Sequence, residues 1–102
     1  MIRRSEFFRE RVAADPLNPL FRFSLGQALL NEGAPDEAVE HLSWAAASRA
    51  DWMVPRILLG KALLALGRRP EARAAFEDAL RLAVTQGHEE PEVELRGILA
   101  GL

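Results

Sequence analysis

Apolar residues recur every three or four positions along most of the chain, which is the spacing that lines one face of an α-helix. Gly33 and Gly67 separate neighbouring stretches of this kind, and a glycine there can adopt the left-handed conformation that ends a helix. Pro35 and Pro70 follow within a few residues, and proline suits the first turn of a new helix. The pattern predicts a series of short helices joined by tight turns.

Three of the predicted helices carry a stripe of apolar residues that we expect to be buried. The first stripe consists of Ala38, Leu42, Ala45 and Ala46, the second of Ala72, Phe76, Ala79 and Leu80, and the third of Val93, Leu95, Ile98 and Leu99. The stretch 53–66, by contrast, is apolar around nearly its whole circumference. A helix of that kind is expected to be covered on more than one side.

The chain repeats itself with a period of 34 residues, since residues 19–52 and 53–86 share ten identical positions when they are aligned. Two of these pairs are glycines, Gly26/Gly60 and Gly33/Gly67, which a composition rich in Ala and Leu explains poorly. The other pairs are Arg22/Arg56, Leu25/Leu59, Ala28/Ala62, Leu29/Leu63, Leu30/Leu64, Glu37/Glu71, Ala38/Ala72 and Ala45/Ala79, and Leu42/Phe76 is a conservative match. Each unit is predicted to contain two helices.

This combination of a Leu-Gly pair, a later Gly and the run Ala-x-x-x-(Leu/Phe)-x-x-Ala resembles the tetratricopeptide repeat, and so does its period. The resemblance implies an all-α fold in which antiparallel helix-turn-helix repeats stack as a short right-handed superhelix. It also implies that the Gly of the first helix and the large residue of the second interlock, as small and large residues do in tight helix pairs. The sequence departs from the family at Arg22 and Arg56, which replace the usual Trp, and at Ala50 and Val84, which replace the closing Pro.

We expect a single domain over residues 1–102, because a chain of this length fits one hydrophobic core. The segment Asp15-Pro16-Leu17-Asn18 resembles the turn that closes a family repeat, so an incomplete repeat is expected before it. The predicted parts are residues 2–18 as an N-terminal half repeat, 19–52 and 53–86 as two full repeats, and 90–101 as a C-terminal helix that covers the open end of the stack.

The first helices of the repeats line a concave surface in a tetratricopeptide stack. By family position this surface holds Leu20, Phe23, Gln27, Leu30, Asn31, Val54, Ile57, Lys61 and Leu64. It is apolar with one polar line at Gln27 and Lys61, which favours a protein or peptide partner with an amphipathic or apolar segment. The Lys, Asn and Arg clamp with which some family members hold the C-terminal carboxylate of chaperones is absent, because residues such as Phe23 and Leu58 occupy the matching positions.

The resemblance therefore implies a non-catalytic adaptor or scaffold that binds a protein or peptide. Two alternatives remain open at this point. In one, the C-terminal helix covers the groove. In the other, the chain associates with itself as a homodimer, because short arrays expose apolar grooves and unfinished ends.

Composition argues against several other classes of function. The chain has no Cys, so disulfides and thiolate chemistry are excluded, and we expect no metal and no cofactor. Its net charge of -2 argues against nucleic-acid binding. No apolar stretch approaches the roughly 18 residues that span a bilayer, and a cytoplasmic location is expected. The sequence contains no phosphate-binding loop and no nucleophile with a matching base, so we do not expect an enzyme.

Three further side chains lie outside the family pattern. We expect His41 on the surface of an amphipathic helix, because a metal site would need at least three converging ligands. Trp44 and Trp52 do not occupy the family's usual Trp position. They are expected either to wedge between the units in the core or to act as exposed anchors for a partner.

Overall fold

A computed structural model describes residues 2–102, which contain six α-helices and no β-strand. The helices are α1 (Arg4–Ala14), α2 (Pro19–Asn31), α3 (Pro35–Ser48), α4 (Val54–Ala65), α5 (Arg69–Gln86) and α6 (Glu89–Ala100). Each helix packs against the next one along the chain, and α2 also contacts α4 directly. This order of contacts confirms the predicted all-α helical repeat solenoid.

Three glycines end helices or begin the turns that follow them. Gly33, Gly67 and Gly87 have φ angles of 81°, 75° and 71°, a region that disfavours residues with a Cβ atom. After the first two, the backbone N–H of Ala34 donates to the carbonyl of Leu29, as that of Arg68 does to Leu63. These bonds satisfy carbonyls at the helix ends and fix the sharp turn into the next helix.

The hydrophobic core consists of two clusters, one around each helix pair. The first cluster consists of Leu25, Leu29, Ala38, Leu42 and Ala62, and the second of Met53, Leu63, Ala72, Ala75, Phe76, Ala79, Ala83 and Leu95. The stripes predicted on α3 and α5 are buried, except that Leu80 is half-buried. Ala62 of α4 belongs to the first cluster, so the two pairs share a packed boundary.

Close approach of the helices depends on glycine in both pairs. A Cβ atom added to Gly26 of α2 would lie 2.7 Å from Cγ of Leu42 on α3. That distance is shorter than van der Waals contact, so the leucine occupies the space that a side chain would need. The resemblance to tetratricopeptide repeats predicts this interlock, and the structure shows it.

The expectation of a surface His41 is wrong, since the residue is only 8% exposed. It lies on α3 beneath Arg22 of α2, with Nη1 of the arginine 3.5 Å from Nδ1 of the imidazole. Burial lowers the pKa of His41. The same guanidinium lies 4.9 Å from the ring centre of Trp44, so the arginine at the family's Trp position packs on a tryptophan of the partner helix.

The stripe predicted on α6 is wrong at one position. Leu95 is buried against α5 and Ile98 and Leu99 are half-buried, but Val93 is 73% exposed. On a helix, residues 95, 98 and 99 share a face, whereas residue 93 lies about 200° around the axis from residue 95. Because α6 buries only one face, Val93 remains in solvent.

Candidate functional site

Three apolar side chains on α2 and α4 remain exposed where the sequence predicts a binding surface. Leu20 at the start of α2 is 56% exposed, Val54 at the start of α4 is 41% exposed, and Leu64 near the end of α4 is 36% exposed. Since α2 and α4 contact each other directly, these side chains belong to neighbouring helices. We call these three residues the apolar face.

Three other predicted site residues are half-buried and contribute to the core. Phe23 and Leu30 pack against the cluster around Leu42, and Ile57 packs against the cluster around Phe76. Each therefore supports the surface from beneath. A substitution at these positions would alter the core as well as any contact with a partner.

Trp52 lies against the candidate surface. Its ring centre is 5.2 Å from that of Phe23, in a tilted arrangement, and the guanidinium of Arg49 lies 5.8 Å from the indole. The residue stands in the turn before α4 and is half-buried. It thus packs against Phe23 in the region where α2 meets α4, with part of the indole open to solvent.

The polar members of the predicted site include one cation that is already paired. Gln27 and Asn31 on α2 are exposed and available for hydrogen bonding. Lys61 on α4 is exposed as well, and its Nζ lies 3.3 Å from Oε1 of Glu94 on α6. This ion pair links the α4 part of the predicted site to the C-terminal helix.

Glu89, Glu90, Val93 and Glu94 lie together on one exposed, open side of α6. We call these four residues the acidic rim. The sequence analysis missed it because Val93 was assigned to the stripe that was expected to be buried. The detectable signal was the helical spacing itself, since residues 89, 90, 93 and 94 share one face of a helix.

The C-terminal helix leaves part of the candidate surface open. It packs along α5, where Leu95 joins the second core cluster. Leu20 and Val54 nevertheless keep 56% and 41% of their surface in solvent with α6 in place. At these two positions, therefore, the C-terminal helix does not cover the predicted groove.

The described residues offer little for other kinds of chemistry. Nowhere within 2–102 do three His, Asp or Glu side chains converge as a metal site would require. No helix in that part of the chain combines the length and the apolar character needed to cross a bilayer. The same residues include exposed apolar side chains on α2 and α4 and a row of exposed glutamates on α6.

Two family models match the chain, and both describe a tetratricopeptide repeat. One matches residues 6–51 and the other residues 53–78. A TPR repeat-containing protein of Pseudomonas aeruginosa is 36% identical over 85 residues, which cover 83% of this chain and 81% of that protein.

Solved structures with the same fold include two chaperones. PcrH, solved in complex with the chaperone binding region of PopD, superposes with a TM-score of 0.87 at 20% identity, over 95% of this chain and 74% of PcrH. The Yersinia enterocolitica type III secretion translocator chaperone SycD superposes with a TM-score of 0.89 at 19% identity, over 95% of this chain and 68% of SycD. MamA superposes with a TM-score of 0.70 at 18% identity, over 89% of this chain and 61% of MamA. At these identities the likeness establishes the fold alone.

Proposed function

Because the chain belongs to the tetratricopeptide repeat family, we propose that it is a non-catalytic protein-binding module, an adaptor or scaffold that holds an apolar or amphipathic peptide segment. The proposed site is the concave surface formed by α2 and α4. Its residues are Leu20, Phe23, Gln27, Leu30, Asn31, Val54, Ile57, Lys61 and Leu64.

The observation that carries this proposal is the exposure of the apolar face on two neighbouring helices. Leu20 and Val54 lie in the first turns of their helices and are 56% and 41% exposed, although other residues of both helices contribute to the core. A contiguous exposed apolar patch is typical of surfaces that bind other molecules, and the direct contact between α2 and α4 supports such a patch here. PcrH offers a precedent on the same fold, because it was solved with a binding region of PopD.

The surface suits a peptide more than a small molecule. Its apolar side chains are spread over two helices, and exposed amides at Gln27 and Asn31 lie on the same helix as Leu20. Apolar side chains of a bound segment would contact the leucines and Val54, while the amides would pair with its backbone. An amphipathic helix or an extended segment can make such contacts.

The test is selection of a random peptide library displayed on phage against the purified chain, followed by titration of synthetic copies of the enriched peptides. The double variant Leu20→Gln/Val54→Gln removes apolar contact and leaves the net charge unchanged. We expect it to weaken binding about tenfold or more. The matched control is Val84→Gln, because Val84 is 50% exposed but lies on α5.

If the double variant and Val84→Gln bind the selected peptides with equal affinity, the proposed surface is refuted. Circular dichroism of both variants must show helix content and a melting temperature close to those of the parent chain. That requirement separates loss of the surface from loss of the fold.

A second candidate is self-association through the ends of the array. Ile2 and Phe7 are 56% and 41% exposed near the N-terminal end, where α1 packs on α2. Sedimentation at micromolar concentration separates the candidates: a homodimer that Phe7→Gln dissociates would favour association through this end. A monomer that still binds the selected peptides would favour the adaptor.

A further inference from the structure

We propose that Arg22 of α2 and His41 and Trp44 of α3 form an acid-sensitive latch, which holds α2 on α3 while the imidazole is neutral and loosens when the ring is protonated. The three side chains meet at the boundary between the two helices of the first repeat, and we call them the latch. Such a latch is a property of the fold, so it would act whichever partner the chain binds.

Arg22 makes three contacts at this boundary. Its Nε donates to the carbonyl of Pro16 at 3.1 Å, its guanidinium lies 4.9 Å from the ring centre of Trp44, and its Nη1 lies 3.5 Å from Nδ1 of His41. A guanidinium donates hydrogen bonds and accepts none, so the last contact is favourable only while Nδ1 carries no proton. The geometry therefore suits a neutral imidazole whose proton is on Nε2.

Protonation of His41 would place a second positive charge beside Arg22, at a position that water reaches poorly. The residue is only 8% exposed, so solvent stabilises the new charge little. Moving the guanidinium away from the ring would relieve the repulsion, but it would also disturb the contacts of Arg22 with Trp44 and Pro16. The proton on His41 thus weakens the attachment of α2 to α3.

Charged side chains around His41 act in both directions. Burial is the largest cause that lowers the pKa of the imidazole, and the positive charges of Arg22 and Arg9 lower it further. Glu40 and Glu37, on the same helix as His41, favour the protonated ring. Glu37 is paired with Arg9, however, and Glu40 is exposed to water. The neutral ring is therefore the form that the folded chain favours.

The charged residues of α4, which also packs on α3, are held elsewhere. Arg56 donates to the carbonyls of Arg49 at 3.2 Å and Trp52 at 2.6 Å, and Lys61 pairs with Glu94. Among the helices packed against α3, the charge that faces the imidazole is thus supplied by α2.

The N-terminal half of the array is the part that would loosen first. The core cluster around Leu42 contains five buried residues, whereas the cluster around Phe76 contains eight. Regions that bury fewer apolar contacts open at a lower free energy. Since Arg22 also ties α2 to Pro16 in the turn after α1, we expect α1 and α2 to loosen together.

The first experiment compares the parent chain with His41→Asn in urea unfolding at about pH 7 and pH 5. Asparagine offers an oxygen near the position of Nδ1 and has a helix propensity similar to that of histidine, but it does not titrate. The stability that the neutral ring provides is present above the ordinary pKa of 6.5 and is lost as pH falls through the lowered pKa of the folded chain.

The unfolding equilibrium constant of the parent chain should therefore rise between pH 7 and pH 5 at least about threefold more than that of His41→Asn, with a ceiling of roughly thirtyfold. The control is His88→Asn, which replaces an exposed histidine and should respond to pH as the parent does. Equal responses of the parent chain and His41→Asn would overturn the proposal.

The second experiment follows the His41 ring by NMR and requires no variant for its first part. In the parent chain the His41 ring should titrate below 6.5, and the indole resonances of Trp44 should move over the same pH range. In Arg22→Gln, the loss of the positive charge should raise the pKa of His41. An unchanged pKa would show that Arg22 does not oppose the proton, and the latch would be refuted.

Hydrogen exchange in the parent chain locates the opening. At about pH 5, amides of α2 should lose more protection than amides of α5, relative to their values in His41→Asn. Equal losses in the two helices would mean that protonation destabilises the whole fold, which would contradict a latch between α2 and α3.

Discussion

Gly60 of α4 and Phe76 of α5 occupy adjoining space so completely that no side chain fits between them. A Cβ atom added to Gly60 would lie 2.5 Å from Cε1 of the phenylalanine, and two further ring atoms would lie within 2.8 Å. Phe76 is fully buried at the centre of the second core cluster. The ring therefore cannot move aside without disturbing the residues around it.

We expect Gly60→Ala to lower the free energy of unfolding by about 1–3 kcal/mol, because overpacking forces the helices apart. Gly97→Ala is the matched control, since Gly97 also lies inside a helix, but an added Cβ would meet no atom within 4 Å apart from the adjacent backbone of its own helix. That control should be neutral or should stabilise the chain by up to about 1 kcal/mol, as alanine favours helix. Urea unfolding followed by circular dichroism measures both. A neutral Gly60→Ala would place the helix crossing elsewhere.

Asn18→Ala should destabilise the start of α2. The Asn18 side-chain oxygen accepts hydrogen bonds from the backbone N–H groups of Leu20 at 3.0 Å and Phe21 at 3.3 Å. Losing such a cap costs about 0.5–2 kcal/mol. His88→Ala is the comparison, because His88 precedes α6 and its side chain makes no capping bond. Equal effects on chemical unfolding would contradict the capping role of Asn18.

Ser5 and Glu32 give the docking of α1 a dependence on pH. The Ser5 hydroxyl donates to Oε1 of Glu32 at 2.6 Å, and its backbone N–H donates to Oε2 at 3.1 Å. The hydrogen bond from the Ser5 hydroxyl is the main reason that the pKa of the Glu32 carboxyl lies below its ordinary value. A carboxyl with a lowered pKa in the folded state adds stability above its unfolded pKa and loses it as pH falls through the folded pKa.

Ser5→Ala should therefore lower stability at neutral pH, and its difference from the parent chain should narrow as the carboxylate becomes protonated in acid. Urea titrations at about pH 7 and pH 3 measure this difference. Ser43→Ala, at an exposed position of α3, serves as the control. A difference that is the same at both values would show that the hydrogen bond to ionised Glu32 is unimportant.

Ile57→Gln and Val54→Gln should separate a core position from a surface position on one helix. Ile57 is half-buried against the cluster around Phe76, so a polar amide there should cost about 2 kcal/mol or more. Val54 is 41% exposed, and its replacement should change stability by less than about 0.5 kcal/mol. Thermal unfolding of the two variants provides the comparison. Similar losses would mean that Val54 is more deeply packed than its exposure indicates.

The fold was predictable because its signals are local or periodic. Gly33 and Gly67 end the first helices in the left-handed conformation that glycine favours, and Ala38, Leu42 and Ala45 recur at helical spacing and are buried. The match of Gly26 and Gly60 across the period anticipated the helix crossing, since a residue without a side chain inside a helix needs a packing explanation.

The candidate site was less predictable. Family position grouped Val54 with Ile57, although the structure leaves the first largely in solvent and packs the second on the core. Periodicity shows that both residues lie on an apolar helix. It does not show which of the two side chains a neighbouring helix covers. The acidic rim was missed for the same reason, because Val93 looked like part of the stripe that buries Leu95.

Sequence by itself determined the number of helices, the turns between them and the glycines at which they cross, because these depend on residues close in the chain or on a repeated pattern. Tertiary structure decided the exposure of individual side chains, which depends on distant neighbours. Arg22 of α2 covers His41 of α3 and buries a residue expected at the surface, whereas α6 turns Leu95 toward α5 and leaves Val93 in water. Burial is a property of the space between helices, and that space exists only once the helices have packed.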